Sequence, residues 1–295
     1  MASVKVKKLR VKNHRVILNR SAGGDTAITV VLIILGIFMF MPVYLTVITA
    51  FKPAAELSIM PPKFYVIKPT FKNFIDLFTN INQTWVPISR YIFNTVYISV
   101  ASTFGCLVLG SMAAYSLSKI RMPGYKMINN LIIWSLMIPN TIAGVYNFII
   151  YCKLQMLNTY AISILPVWAG TLGLYLMKNF IDDGISDEMI EAARIDGARE
   201  FYIYLKIAMP LVKPAWLTLI VTTFQGVWAA GASAYVWSED LKTFNSALAA
   251  IQGSSSNASG AAAAGSVIMM SVPIIIFVVN QSKIVETMAS SGMKD

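Results

Sequence analysis

Six windows of the chain, 26–51, 91–118, 127–152, 154–177, 214–238 and 243–282, contain no charged side chain. Each exceeds the ~20 residues a helix needs to cross ~30 Å of hydrocarbon. The pattern predicts an all-α membrane protein with six transmembrane helices. The first window is longer than the apolar core of a signal peptide, about 7–15 residues, and no clear small-residue cleavage site follows it, so it is expected to stay attached.

Between the fourth and fifth windows the pattern inverts. Residues 186–214, SDEMIEAARIDGAREFYIYLKIAMPLVKP, form the longest charge-rich run in the chain. Ser186 suits an N-cap, and Asp187 and Glu188 fall in a first turn whose dipole favours acids. Met189, Ile190 and Ala193 give one apolar side, with Glu191 and Arg194 on a more polar one. Gly197 sits where a helix end calls for a left-handed residue, permitting a sharp reversal. Phe201, Leu205 and Ala208 then predict the apolar side of a second helix, stopped by Pro210. Two short helices are marginal alone, so this hairpin needs a surface to lie on or a groove to fill.

Composition agrees with a bilayer setting. Hydrophobic residues make up 56% and charged residues 13%, against roughly 45–50% and about 25% in soluble domains. The 24 Lys and Arg residues are unevenly spread. Seven lie in the first 20 residues, three between the second and third windows, five over 178–213 and two after the last window, leaving seven for the alternate connections. By the positive-inside rule both termini and residues 186–214 are cytoplasmic. The predicted organisation is a basic tail over 1–25, a six-helix domain over 26–282 that includes the hairpin, and a cytoplasmic tail over 283–295.

Several chemistries find no support. His14, the single histidine, lies in the basic tail without convergent partners, so no metal or acid–base site forms around it. Cys106 and Cys152 lie in apolar runs and indicate no disulfide framework. The tail's Lys and Arg suit anionic head groups rather than nucleic acid, because a span follows at once. No GxxxxGK[ST] run is present, so the chain shows no nucleotide site of its own. The windows also lack the ionisable residues that ion-coupled transporters commonly place at mid-membrane, which disfavours a secondary transporter.

On the outer side, Phe71, Phe74, Leu77 and Phe78 recur at roughly helical spacing beside Lys72 and Asp76, predicting an amphipathic helix on the outer surface or packed on the protein's own helices. Sequons begin at Asn82 and Asn257. Gly105, Gly110, Gly170, Gly173 and residues 261–265 offer small surfaces for close helix approach.

The hairpin carries a resemblance. Glu191-Ala192-Ala193, Asp196-Gly197-Ala198 and then Phe201, Ile207, Pro210 and Pro214 resemble the EAA signature of bacterial ATP-binding-cassette importer permeases. The wording is most similar to the sugar-importer branch and to the smaller, six-helix subunit of the maltose-type pair. The ending over 281–295 is similar too, though it departs from that subunit's commoner glycine-rich wording. The resemblance spans nearly all of the chain after the basic tail. It implies that the short helix around Glu191 is a coupling helix inserted into a cleft of a cytosolic ATPase. There Glu191 would make a polar or ionic contact, with Arg194 and Asp196 beside it, Ala192 and Ala193 would allow close approach, and Gly197 would hold the bend. A local pair between Glu191 and Arg194 is the alternative use of that carboxylate.

The same resemblance implies a non-enzymatic subunit of the bacterial plasma membrane. Its partners would be a second permease, two copies of the ATPase that carry ATP and Mg, and an extracytoplasmic solute-binding protein; this chain would hold no cofactor. The implied cargo is a carbohydrate, with another polar solute such as glycerol phosphate as the alternative. Aromatic faces and amides suit hydroxylated rings, which makes Asn140, Tyr146, Asn147, Trp168, Gln225, Trp228 and Tyr235 the candidates for the substrate pathway, each of them equally suited to ordinary packing.

Overall fold

The computed structural model describes residues 22–59, 61, 63–82, 86–120, 122–138, 140–254 and 258–291. The basic tail with His14, Arg121, residues 83–84 and 257 of the two sequons, and residues 292–295 lie outside the described residues. Every regular element among the described residues is helical.

Four helical stretches are long and apolar enough to cross a membrane: Gly24–Phe51, Ile88–Lys119, Tyr160–Gly184 and Ser259–Val279. A fifth crossing requires counting Glu200–Leu211 and Lys213–Ala229 together, although they meet at 81°. The apolar windows therefore correspond to helix, but not to six unbroken spans. Window 127–152 becomes α5 (Tyr125–Met137) and α6 (Asn140–Lys153). The break falls at Ile138, which is extended at φ −83°, ψ 119° and precedes Pro139, whose ring disfavours helical geometry in the residue before it. Window 154–177 begins late, as α7 (Tyr160–Trp168) and α8 (Thr171–Gly184). Window 214–238 holds α12 (Lys213–Ala229), only 17 residues long. Window 243–282 is divided between α13 (Phe244–Ser254) and α14 (Ser259–Ser291).

The chain divides into two compact units between Leu45 and Thr46, within α1 (Ala22–Phe51). In the first, α1 exposes Ile28, Leu32, Phe38 and Phe40, the surface expected of a helix in lipid. The second unit is built around α4 (Ile88–Lys119), against which α7, α8 and α12 pack. Packing there is close. A Cβ at Gly105 of α4 would stand 2.1 Å from the Trp168 indole, and one at Gly173 would stand 2.6 Å from Leu219. No such approach is made at Gly110, which has open space around it.

At the Arg90 end of α4 the chain is folded back on itself. After a short α2 (Ala54–Leu57), α3 (Lys72–Asn82) packs on α14. Leu77 is fully buried and Phe74 packs beside Ala50, while Phe71 and Phe78 are exposed. The predicted amphipathic helix is therefore real, and its inward side meets the chain's own helices.

Candidate functional site

The polar hairpin opens with α9 (Asp187–Ile195), and its first turn forms as the sequence dictates, with the Ser186 side chain accepting the Met189 amide at 3.4 Å. At the other end Gly197 has φ +81°. The Ala198 amide donates to the Ala193 carbonyl and the Gly197 amide to the Arg194 carbonyl, both at 3.0 Å. That pair of bonds is a Schellman closure, which requires the left-handed residue Gly197 supplies.

Beyond the turn, α10 (Glu200–Ile203) passes into a π-helical segment, Tyr204–Ala208, then α11 (Met209–Leu211), and the chain bends sharply at Val212 into α12. Of the predicted apolar side of Phe201, Leu205 and Ala208, Ala208 alone is buried. Ile203, Tyr204 and Ala208 face inward, and Phe201 and Leu205 are exposed. Tyr204 earns an interior place through its hydroxyl, 2.6 Å from Ser111 Oγ of α4, and the π turn that begins there closes i→i+5 bonds and so shifts the register of the residues that follow.

The hairpin is bolted to the Lys119 end of α4. Lys119 Nζ bonds Asp187 and the Ile185 carbonyl, both at 2.7 Å, while Ser118 bonds Asp182 of α8. Arg194 spans the turn, donating from Nε to Glu200 at 2.6 Å and from Nη2 to the Lys119 carbonyl at 3.0 Å. The other Glu200 oxygen accepts the Tyr115 hydroxyl at 3.0 Å. This guanidinium holds the Glu200 carboxyl below the usual glutamate range, with the Tyr115 hydrogen bond acting in the same direction. Beneath the network, Ile190, Ala193 and Ile203 share one apolar core with residues of α4, α8 and α12.

That arrangement settles which way α9 faces. Ile190 and Ala193 point inward, whereas Met189 joins the exposed residues. Glu188, Glu191, Ala192 and Ile195 form an outward stripe, and Ile195 is 86% exposed. Glu191 and Arg194 do not form the local ion pair, because Arg194 is taken by Glu200. Asp196 and Gly197 line an open hollow of about 520 Å³ with Ala198, Arg199 and Tyr202. Ala192 is thus available for close approach from outside, whereas Ala193 packs in the protein's own core and also borders the hollow.

The pathway candidates are dispersed. The Trp168 Nε1 donates to the Ala101 carbonyl at 3.0 Å, and Trp228 is buried, stacked on Phe224 with Nε1 donating to the Met269 carbonyl at 2.9 Å. Tyr235 lies against Phe148 and Tyr151 of α6 and donates its hydroxyl to the Gly144 carbonyl at 3.0 Å. That places it beside the helix bearing Tyr146, which is exposed, and Asn147, which is half-buried. Gln225 is half-buried on α12, and the Asn140 side chain lies outside the described residues.

Sequence reasoning missed Glu200, Tyr115 and Ile195. Glu200 and Tyr115 belong to elements far apart in sequence, and nothing local joins them. Ile195 was findable, as the large apolar residue one helical turn beyond Glu191.

A bundle of apolar helices with a polar hairpin clamped to the end of its central helix is the architecture of a membrane transport permease. Residues 106–286 match the family described as binding-protein-dependent transport system inner membrane component, and the chain belongs to that family. It is 27% identical to the arabinooligosaccharides transport system permease protein AraQ of Halalkalibacterium halodurans, over 86% of this chain and 90% of that one. It is 28% identical to the melibiose/raffinose/stachyose import permease protein MelC of Bacillus subtilis, over 90% of this chain and 96% of that one. Its fold matches a chain of a bacterial ABC transporter involved in the import of the acidic polysaccharide alginate, with a TM-score of 0.74 at 21% identity over 89% and 98% of the two chains.

Proposed function

We propose that this chain is one permease subunit of an ATP-driven carbohydrate importer. The observation that carries the reading is the outward stripe of α9, Glu188, Glu191, Ala192 and Ile195, presented on a hairpin whose other side is fastened to the bundle. A short helix that exposes an isoleucine beside two acids is shaped to enter a cleft, with Ile195 as the apolar anchor and Glu191 as the polar contact. The cleft belongs to a cytosolic ATPase that holds ATP and Mg, which places the hairpin and both termini in the cytoplasm. ATP binding closes two ATPase copies, the hairpin moves with them, and this chain and a second permease rock between inward- and outward-facing states. An extracytoplasmic binding protein supplies the sugar.

Two relatives named for oligosaccharide transport, each aligned over most of its length, favour carbohydrate cargo. A second reading, glycerol phosphate, is favoured by the 30% identity to the sn-glycerol-3-phosphate permease UgpE of Escherichia coli, over 55% of this chain. Affinity purification of the tagged chain from its native membranes tests assembly. The expected companions are a second permease and an ATPase, with Glu191→Lys losing the ATPase and keeping the permease. Equal ATPase recovery from Glu191→Lys would refute the docking role, and uptake of labelled raffinose against labelled glycerol phosphate separates the two cargoes.

A further inference from the structure

The helix that holds the hairpin also holds something at its other end. At 1.5 Å per residue the 32 residues of α4 span about 48 Å. Around Asn94 this helix grips the loop that follows α12, in which Glu239–Leu241 form one 3-10 turn. The Asn94 amide donates to the carbonyls of Asp240 at 2.8 Å and Lys242 at 2.9 Å, and its oxygen accepts the Tyr160 hydroxyl at 2.7 Å. Thr95 accepts the Phe244 amide at 2.9 Å while donating to the Tyr91 carbonyl. Asn94 is wholly buried and Thr95 nearly so; the Thr95 bonds are shielded from water and those of Asn94 partly so, which makes them costly to break.

The loop is also held from the connection between α6 and α7. Asn158, at φ +54°, accepts the amides of Trp237 and Ser238 and donates to the Ser238 hydroxyl. Trp237 stands exposed on this frame. Between the two gripped ends α4 is a single helix without proline, whereas α1, α7 and α14 each contain one. Midway along it, the buried hydroxyls of Ser99, Ser102 and Thr103 have no hydrogen-bond partner. Mid-helix polar links run from the Ala101 carbonyl to Trp168 and from Cys106 to Thr223, and the denser polar attachments of α4 lie nearer its two ends.

We propose that Asn94 and Thr95 are positioning residues that fasten loop 235–244 to α4, making α4 a rigid link by which movement of the coupling hairpin reaches that loop. This inference rests on the coupling role assigned above, and α4 supplies two discrete attachments rather than mere spatial intermediacy.

The test uses the complex purified with its native partners, carrying Trp237→Cys in a Cys152→Ser background, and measures the rate of labelling by a membrane-impermeant maleimide with and without ATP and vanadate. With Asn94 and Thr95 present, nucleotide is expected to change the rate about fivefold, the lower end of allosteric coupling. In Asn94→Leu/Thr95→Val the ratio falls to about 1 while ATP hydrolysis stays within about twofold, the signature of lost coupling rather than lost chemistry. Tyr160→Phe, which spares both bonds from Asn94 to the loop, keeps the response. A response retained in the double variant overturns the inference alone. Loss of response together with loss of hydrolysis assigns the two residues to folding and also overturns it. A complex with native Asn94 and Thr95 that shows no response overturns the coupling role and the inference with it.

Discussion

Substitution of Gly197 gives a graded test of the hairpin. Its φ of +81° is the conformation L residues avoid, and a Cβ there would meet nothing within 4 Å. The effect of a side chain is therefore backbone strain alone, without a steric clash. For Gly197→Ala this is about 1–2 kcal/mol, which lowers the ratio of closed to open turn by roughly 5–30-fold. Gly197→Asn is milder, since asparagine tolerates left-handed geometry. Gly197→Pro is far more severe. Proline fixes φ near −65° and removes the amide that bonds the Arg194 carbonyl at 3.0 Å, a loss of ~3 kcal/mol or more and so roughly 100-fold or more in the same ratio. ATPase recovered with the affinity-purified chain, and ATP-driven uptake of its sugar in cells, should both rank glycine, asparagine, alanine, proline. Equal function of the proline and asparagine variants, or an alanine variant weaker than proline, would refute the reasoning that the turn geometry transmits force.

Two further outcomes follow from packing and charge. Gly105→Ala forces its new methyl against the Trp168 ring, which is held by its bond to Ala101. Overpacking of this kind costs about 1–3 kcal/mol, and should appear as a lowered melting temperature in detergent with ATPase docking preserved in the surviving protein; an unchanged melting temperature would show that the indole can move. The Glu200 carboxyl is held below its ordinary range chiefly by Arg194. Its contribution is thus present above the ordinary glutamate pKa and is lost as pH falls through the lowered value. Because Arg194 and Glu200 are each more than a third exposed, the effect is modest, about 0.5–1 kcal/mol. Retention of the ATPase should weaken on acidification below pH ~4, and Glu200→Gln should flatten that dependence; a steeper dependence in Glu200→Gln would exclude the assignment.

Local chemistry made part of this fold legible in the sequence. Ser186 as a cap and Gly197 as a turn are decided by neighbours within five residues, and both form as the sequence implies. The apolar windows identify helices but not where they break, because Ile138 and Gly170 interrupt apolar runs without any change in polarity. The second half of the hairpin was misread for another reason. A simple helical period assumes i→i+4 bonds throughout, and the π segment at Tyr204–Ala208 departs from that assumption. Aromatic and amide residues were the least legible, since Trp168 and Trp228 look alike in sequence whether they meet a sugar or a carbonyl, and each donates to a carbonyl of its own chain.

The shortness of α12 has a consequence for the order in which this chain is assembled. At 1.5 Å per residue its 17 residues reach about 26 Å, and the largely irregular backbone that follows has amides and carbonyls that need partners within the protein. Asn94 and Asn158, which supply many of those partners, are translated before residues 230–244 emerge. Thr243, Asn245 and Ser246, at the end of this stretch, bond back to Ala230, Ala229 and Ala232 at its start. The irregular segment thus meets part of its mould already in place and carries another part with it.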